Sequence, residues 1–272
     1  MDKFLYNGQI KTGKIEIAVS NKALNFGEGL FETVLYQNGS LFFLKEHLSR
    51  LSHSAAFFGY EVDLQALTGE KILNLIDFCG LKNHTLRVKI MCFPGVDGKN
   101  CETLVYVATY TRPDKAFVTA LHKEPVTSSL RKHKRLSYHD NLYWKNFYAN
   151  KLSADEVLFV NRKGRVVEGS YTNILAVWNK NLYYVEPREP YLQGIMQQQI
   201  IKHASELGIK KVLPKAKGFP LQFLERVDEV ILTNSLLIAA PVHKIIYSPK
   251  YIIEKNSNKW SDNIRKWFLQ QA

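Results

Sequence analysis

Cysteine is scarce in this chain of 272 residues. There are three, Cys79, Cys92 and Cys101, an odd number with no closely spaced pair. That excludes a disulfide scaffold, shows no zinc pattern, and leads to the expectation of no metal site and a reduced, cytoplasmic setting. Long apolar runs are missing too: none approaches the ~20 residues of a membrane span. The opening residues MDKFLYNGQIK hold no apolar stretch of the signal-peptide kind. The expectation is a soluble protein with no membrane partner. Internal repeats and low-complexity tracts are absent, and 46% hydrophobic with 23% charged residues is an ordinary globular balance. Acidic residues are the minority: 25 stand against 37 lysines and arginines, for a net charge of +12. Such a balance admits nucleic acid or a small anion as partner. The cations are spread along the chain, the one dense cluster, Arg131 to Arg135, is short, and no zinc finger, basic zipper or RNP motif occurs. An anionic substrate or cofactor is the reading, with no nucleic acid.

The pattern along the chain predicts an α/β (α+β) protein in two parts. Residues 3–18 read as two short strands broken by Asn7-Gly8 and Gly13, and FETVLYQ and SLFFL flank the hairpin pair Asn38-Gly39. From Leu44 the spacing turns helical, with Leu44, Leu48, Leu51, Ala55 and Phe58 on one face. A second helical pattern covers 63–79 and stops at Gly80, and strands follow at 86–93 and from Thr103. This makes a small N-terminal α+β domain over 1–112, a linker over 113–120 opened by Arg112-Pro113-Asp114, and a larger, β-rich domain over 121–272. The second part reads as a helix at 140–153, strands at 156–160, 165–168, 173–178 and 182–185, and a helix from Gly194 to Leu207. A strand at 229–233, an apolar stretch at 237–247 and an amphipathic helix from Trp260 close it.

Several residues carry chemistry beyond packing. Lys134 lies in an RKHKR run; neighbouring positive charge favours a neutral, nucleophilic amine, although Lys132 and Lys145 stay open on chemistry alone. Glu168 closes a short apolar run and Asn173 follows it five residues on. His47-x-x-Arg50-Leu51 puts a guanidinium, a good phosphate ligand, on a helix. Gln193-Gly194-Ile195-Met196 opens a helix after Pro190, where free N–H groups suit a phosphate. Thr233-Asn234-Ser235-Leu236 is a capped turn after a strand, and Arg87 and Lys89 share one strand face.

In order, K-R-L-S-Y from Lys134, A-D-E-V-L-F-V-N and V-V-E-G-S-Y-T-N resemble the class IV aminotransferases. These are the fold-type IV enzymes that use pyridoxal 5'-phosphate (PLP). F-G-E-G-L-F-E-T from Phe26, H-x-x-R-L and G-I-M match further family blocks, so the resemblance spans most of the chain. It implies the two-domain D-amino-acid aminotransferase-like fold and a homodimer. It also implies Lys134 as the Schiff-base lysine and Glu168 at the pyridine nitrogen, with Asn173 beside Glu168 and Tyr138 on the ring oxygen. Arg50, Gly194, Ile195, Met196, Asn234 and Ser235 would hold the phosphate, and Phe26, Phe31, Arg87 and Lys89 would meet substrate. Gln197 stands where the family usually has arginine, and Phe93-Pro94 where lyases and D-amino-acid enzymes carry S/T-R-G. The short chain, Asn234-Ser235-Leu236 and Gly194-Ile195-Met196 lean towards aminodeoxychorismate lyase of folate biosynthesis, which releases pyruvate and forms 4-aminobenzoate. The alternative is a branched-chain or D-amino acid aminotransferase with 2-oxoglutarate as acceptor. A non-catalytic anion- or nucleic-acid-binding protein is the remote alternative.

Overall fold

The computed structural model describes residues 1–271 and divides into two compact units. Unit 1 is Met1–Arg112 with His133–Tyr138; unit 2 is Pro113–Lys132 with the chain from His139.

Unit 1 contains β1 (Lys3–Tyr6), β2 (Gln9–Thr12), α1 (Lys22–Phe26), β3 (Leu30–Gln37), β4 (Ser40–Leu41), α2 (Leu44–Phe57), α3 (Gly69–Phe78), β5 (Leu86–Pro94) and β6 (Cys101–Thr109). Its strands form one antiparallel sheet in the order β2-β1-β6-β5-β3-β4. Alternation sorts the residues of the central strands. Leu30, Val34 and Tyr36 of β3 and Val88, Ile90 and Cys92 of β5 turn into a core with Leu51 and Ala55 of α2 and Ile72, Leu75 and Ile76 of α3. Phe31, Lys89 and Met91 are left for the opposite face, where Phe31 pairs with Met91 and Thr33 with Lys89.

Unit 2 contains β7 (Phe117–Pro125), α4 (His139–Leu152), β8 (Glu156–Val160), β9 (Val166–Gly169), β10 (Asn173–Trp178), β11 (Asn181–Val185) and α5 (Ile195–Lys202). It continues with β12 (Lys211–Lys215), α6 (Leu221–Arg226), β13 (Glu229–Thr233), β14 (Ala240–Ser248), β15 (Tyr251–Glu254) and α7 (Lys259–Gln270). The sheet runs β12-β11-β10-β13-β14-β7-β8-β9, with β15 on β14. Its pairs are parallel at β11–β12, β14–β7 and β7–β8 and antiparallel elsewhere. The near-continuous apolar runs of β8, β10 and β13 are buried along their length, as strands covered on both faces must be.

The structure departs from the sequence reading in several places. The helical pattern at 63–79 is broken: Thr68 is extended at ψ 151° and its hydroxyl accepts from the Lys71 amide, capping α3 after a separate 3-10 turn at Leu64–Leu67. The helix expected to reach Leu207 ends at Lys202, and turns carry the chain to Gly208 at φ +77°. Of SLFFL only Ser40–Leu41 is strand, because Phe43 is left-handed at φ +54°. Residues 117–120 of the expected linker are already in β7, and 133–138 belong to unit 1. The elements α1, β12, α6 and β15 are short or polar and gave no period to read. Among the described residues no helix is long and apolar enough to cross a membrane.

Candidate active site

In unit 1 the backbone fixes Lys134. Residues 134–136 run antiparallel beside the start of β3: the Phe31 amide donates to the Lys134 carbonyl and the Leu136 amide to the Gly29 carbonyl, each at 2.9 Å. Gly29 makes this approach feasible. It sits at φ +134°, and a Cβ there would lie 2.7 Å from both the Cys92 carbonyl oxygen and Leu136 Cδ1. The Lys134 ammonium is 4.4 Å from the centre of the Phe31 ring and 5.7 Å from that of Tyr138, and these two rings meet edge to face at 5.5 Å. Lys89 stands over the same Phe31 ring at 3.2 Å. Burial, then the charges of Lys134 and Arg87, bring Lys89 down to a pKa of about 7, against a weaker opposing pull from Glu32. Phe26 does not join this group; it ends α1 with 74% of its surface exposed.

Arg50 comes from α2, one turn after His47, and both face Glu32 of β3. The guanidinium takes the carboxylate in a fork, Nε to Oε1 at 2.8 Å and Nη2 to Oε2 at 2.7 Å. His47, 1% exposed, contacts Oε2 through Nδ1 at 2.7 Å. A carboxylate only accepts, so Nδ1 carries the hydrogen. Burial pushes Glu32 upward, but Arg50 and His47 overcome it and hold its carboxyl well below the usual range. Burial lowers His47, with Arg50 and Lys134 adding to it against Glu32. At pH 7 the His47 contact is therefore a hydrogen bond to an anion rather than an ion pair.

Both shifts have the same consequence. A depressed folded pKa means stability present above the unfolded value and lost as pH falls, from about 6.5 for the imidazole and about 4.3 for the carboxyl. We expect the melting temperature to fall as pH drops from 6.5 to 5. His47→Asn, which keeps a donor but cannot titrate, should flatten that slope in a pH series of thermal melts. An unchanged slope in the variant would assign the acid sensitivity elsewhere.

In unit 2, Glu168 is the penultimate residue of β9 and is 6% exposed. Its Oε1 accepts from Arg131 Nε at 2.8 Å and its Oε2 from the Leu192 amide at 3.2 Å. Arg131 also donates to Asn141 Oδ1 at 3.3 Å and lies 4.7 Å from the Phe159 ring centre. Asn173, first residue of β10, donates to the Leu192 carbonyl at 2.6 Å. Glu168 and Asn173 thus grip both sides of one peptide position, two residues before Gly194. Gly194 is the N-cap of α5 and supplies no side chain: a Cβ there would lie 2.0 Å from Asn173 Oδ1. Ile195 and Met196 open the first turn of that helix, at the positive end of its dipole. Gln197 beside them is 2% exposed, and its Nε2 has no hydrogen-bond acceptor among the described residues. Asn234 Oδ1 accepts from the amides of Leu236 and Leu237 at 2.9 and 2.8 Å, and its Nδ2 reaches the Tyr171 carbonyl at 3.2 Å. That side chain folds the loop holding Ser235 and ties it to the turn after Glu168.

The expected residues therefore sort by unit. Phe31, Arg50, Arg87, Lys89, Lys134 and Tyr138 are in unit 1; Glu168, Asn173, Gly194, Ile195, Met196, Asn234 and Ser235 are in unit 2. Sequence reasoning missed Arg131 on Glu168 and Glu32 as the anchor of Arg50. Arg131 was visible only as one of a run of basic residues. Lys132 and Lys145 are both in unit 2, and Lys145 lies over the Tyr171 ring at 5.2 Å.

The model of the amino-transferase class IV family matches residues 29–245. Over 98% of both chains, the protein is 28% identical to a Methanocaldococcus jannaschii protein named "Putative branched-chain-amino-acid aminotransferase". It is 27% identical to the aminodeoxychorismate lyase of Bacillus subtilis over 81% of this chain and 78% of that one. Among solved structures, the branched-chain aminotransferase of Thermoproteus uzoniensis with norvaline superposes with a TM-score of 0.86, at 21% identity, covering 99% of this chain and 94% of that one. The fold is thus that of the fold-type IV aminotransferases, and the chain belongs to the class IV amino-transferase family. It is a PLP-dependent enzyme.

The residues present fit that cofactor. Within unit 2, a bare glycine helix start, an unpartnered buried amide donor beside it and a side-chain-ordered Asn-Ser loop are donors suited to a phosphate monoester; in unit 1, the carboxylate-oriented Arg50 is another such donor. A buried carboxylate clamped by two donors suits a protonated ring nitrogen.

Proposed function

We propose that the protein is an amino acid aminotransferase of the branched-chain type, passing the amino group of a branched-chain amino acid to 2-oxoglutarate. The relationship over nearly the full length of both chains to the Methanocaldococcus jannaschii protein carries this reading. It supports the alternative drawn from the sequence better than the lyase. The face of unit 1 beside Lys134 agrees with it: Phe31 and Met91 give apolar contact, and Lys89 gives a cation whose charge is finely balanced near pH 7. A transaminase must take an apolar side chain and an anionic one in turn, and a lysine that loses its proton easily tolerates both.

When bound, PLP supplies an electron sink for charge left on the substrate Cα. Lys134 would hold the cofactor covalently and would carry the proton at the substrate Cα. Tyr138 would donate to the ring oxygen, and Glu168 would keep a proton on the ring nitrogen. Arg50 of unit 1, and the α5 amides and Asn234-Ser235 loop of unit 2, would be the phosphate ligands. We expect Gly194→Ala to weaken PLP binding at least about tenfold and to cost about 1–3 kcal/mol of stability, because Asn173 or the helix start must give way to the new methyl. Fluorescence titration of the cofactor-free protein with PLP measures the first and a thermal melt the second. Wild-type affinity would remove Gly194 from the phosphate site.

The working form is a homodimer in this reading, supported by the exposed Leu142, Tyr143 and Phe147 on α4. Light scattering tests it. The lyase stays as a second reading on the Bacillus subtilis relative and the Asn234-Ser235-Leu236 turn. Incubation with leucine and 2-oxoglutarate, and separately with aminodeoxychorismate, decides. Glutamate formed in the first assay alone supports the transaminase; pyruvate released in the second alone replaces it with the lyase.

A further inference from the structure

Unit 2 buries a carboxylate that none of the roles above uses. Glu156 opens β8 and is 3% exposed. Among the described residues no lysine, arginine or histidine pairs with it; neutral donors alone hold it. Oε1 accepts from the amides of Val157 at 2.8 Å and Ser170 at 3.1 Å, and from the Ser170 hydroxyl. Oε2 accepts from the Tyr171 amide at 3.2 Å and the Thr172 hydroxyl at 3.1 Å. Burying an ion without a countercharge is costly unless its lone pairs are satisfied, and here five donors converge on two oxygens. Four of them come from Ser170–Thr172, the turn between Glu168 and Asn173. Gly169 is pressed against the same carboxylate: a Cβ there would lie 3.1 Å from Glu156 Oε2 and 2.2 Å from Thr172 Oγ1. The turn is wrapped around this carboxyl group.

We infer that Glu156 is a positioning residue of the reaction: its carboxylate sets the 169–172 turn, and through it the direction of Glu168 and Asn173. The route is short. Glu168 precedes the turn, Asn173 follows it, and both hold Leu192 ahead of the Gly194 helix start. The Ser170 carbonyl is also the anchor for Asn141, which in turn receives Arg131. A shift of the turn would therefore move Glu168 and its arginine partner together.

This inference rests on the proposed role of Glu168 at the cofactor, and the test separates the two. In Glu156→Gln one oxygen becomes an NH2 group facing N–H donors that cannot rotate away. In the cofactor-free protein, hydrogen exchange at the Ser170 and Tyr171 amides should rise at least about tenfold. In the holoenzyme, kcat should fall at least about tenfold with KM for the amino acid held within about twofold. The pH midpoint of the cofactor's visible absorbance should move in the same direction as in Glu168→Gln. Faster exchange with wild-type kcat and midpoint would make Glu156 a purely structural residue and overturn the inference, as would wild-type exchange. If Glu156→Gln does not fold, Ser170→Ala with Thr172→Val removes two donors and keeps the Glu156 side chain; smaller shifts in the same directions are expected, and wild-type values overturn it. If Glu168→Gln itself behaves as wild type, the role of Glu168 is what fails. If Glu168→Gln is impaired and Glu156→Gln is not, only the present inference fails.

Discussion

Lys134→Ala should abolish turnover, lowering kcat by at least about a thousandfold, and should remove the visible absorbance of the bound cofactor. Alanine deletes the nucleophile and the proton carrier together. It leaves the backbone pairing of residues 134–136 with β3 intact, since that pairing uses only the Phe31 and Leu136 amides and the carbonyls opposite. The fold should therefore survive, with the melting temperature changed by no more than a few degrees. A second effect falls on Lys89. The charge of Lys134 is one of the causes of its lowered pKa, second to burial, so removal should raise the Lys89 pKa above about 7. Amine-specific labelling of Lys89 at pH 7 should slow accordingly in the cofactor-free variant. Borohydride treatment of the holoenzyme, followed by peptide mapping, should find the cofactor on the Lys134 peptide. Cofactor fixed instead at Lys132 or Lys145 would reassign the lysine.

What could be read from the sequence was set by where the determinants are encoded. Strands β8, β10 and β13 are near-continuous apolar runs and declared themselves; so did α2, whose Leu48, Leu51 and Ala55 keep helical spacing. Thr68 shows the limit. Its cap bond breaks a helix inside a pattern that hydrophobic period alone reads as continuous. The site divides in the same way. Lys134, Glu168 and Arg50 stand in ordered blocks, so their spacing along the chain carried the signal. The groups that orient them do not. Arg131 reaches Glu168 across 37 positions, and Glu32 reaches Arg50 across 18; pairings at such separations leave no period and appear only once the strands are registered. Gly194 was legible as a helix opening, but the reason it must be glycine, the Asn173 side chain against it, was not.

Glu168→Gln should keep the cofactor and lose most of the rate, about a hundredfold in kcat. The loss has two sources that act together. A carboxylate stabilises a proton on the ring nitrogen, and a neutral amide does so poorly, so the ring becomes a weaker sink. The amide also fits its own pocket badly. Both oxygens of Glu168 accept from fixed donors, the Arg131 guanidinium and the Leu192 amide. Glutamine keeps one oxygen, which should go to the charged Arg131, and this turns an NH2 group towards the Leu192 N–H. That donor–donor contact should push the 192–194 segment away and weaken PLP affinity a few-fold, about 1 kcal/mol. Arg131 loses its anionic partner at the same time, so a stability loss of about 1–3 kcal/mol is expected. Arg131→Met separates the two sources, because it leaves the Glu168 charge in place while removing its orientation. Its kcat should fall less than that of Glu168→Gln, with the pH midpoint of the absorbance unmoved. Stopped-flow measurement of a single half-reaction with leucine reads these rates without product release. Full activity in Glu168→Gln would contradict the assigned role, and a larger loss in Arg131→Met than in Glu168→Gln would make orientation, not charge, the dominant contribution of this carboxylate.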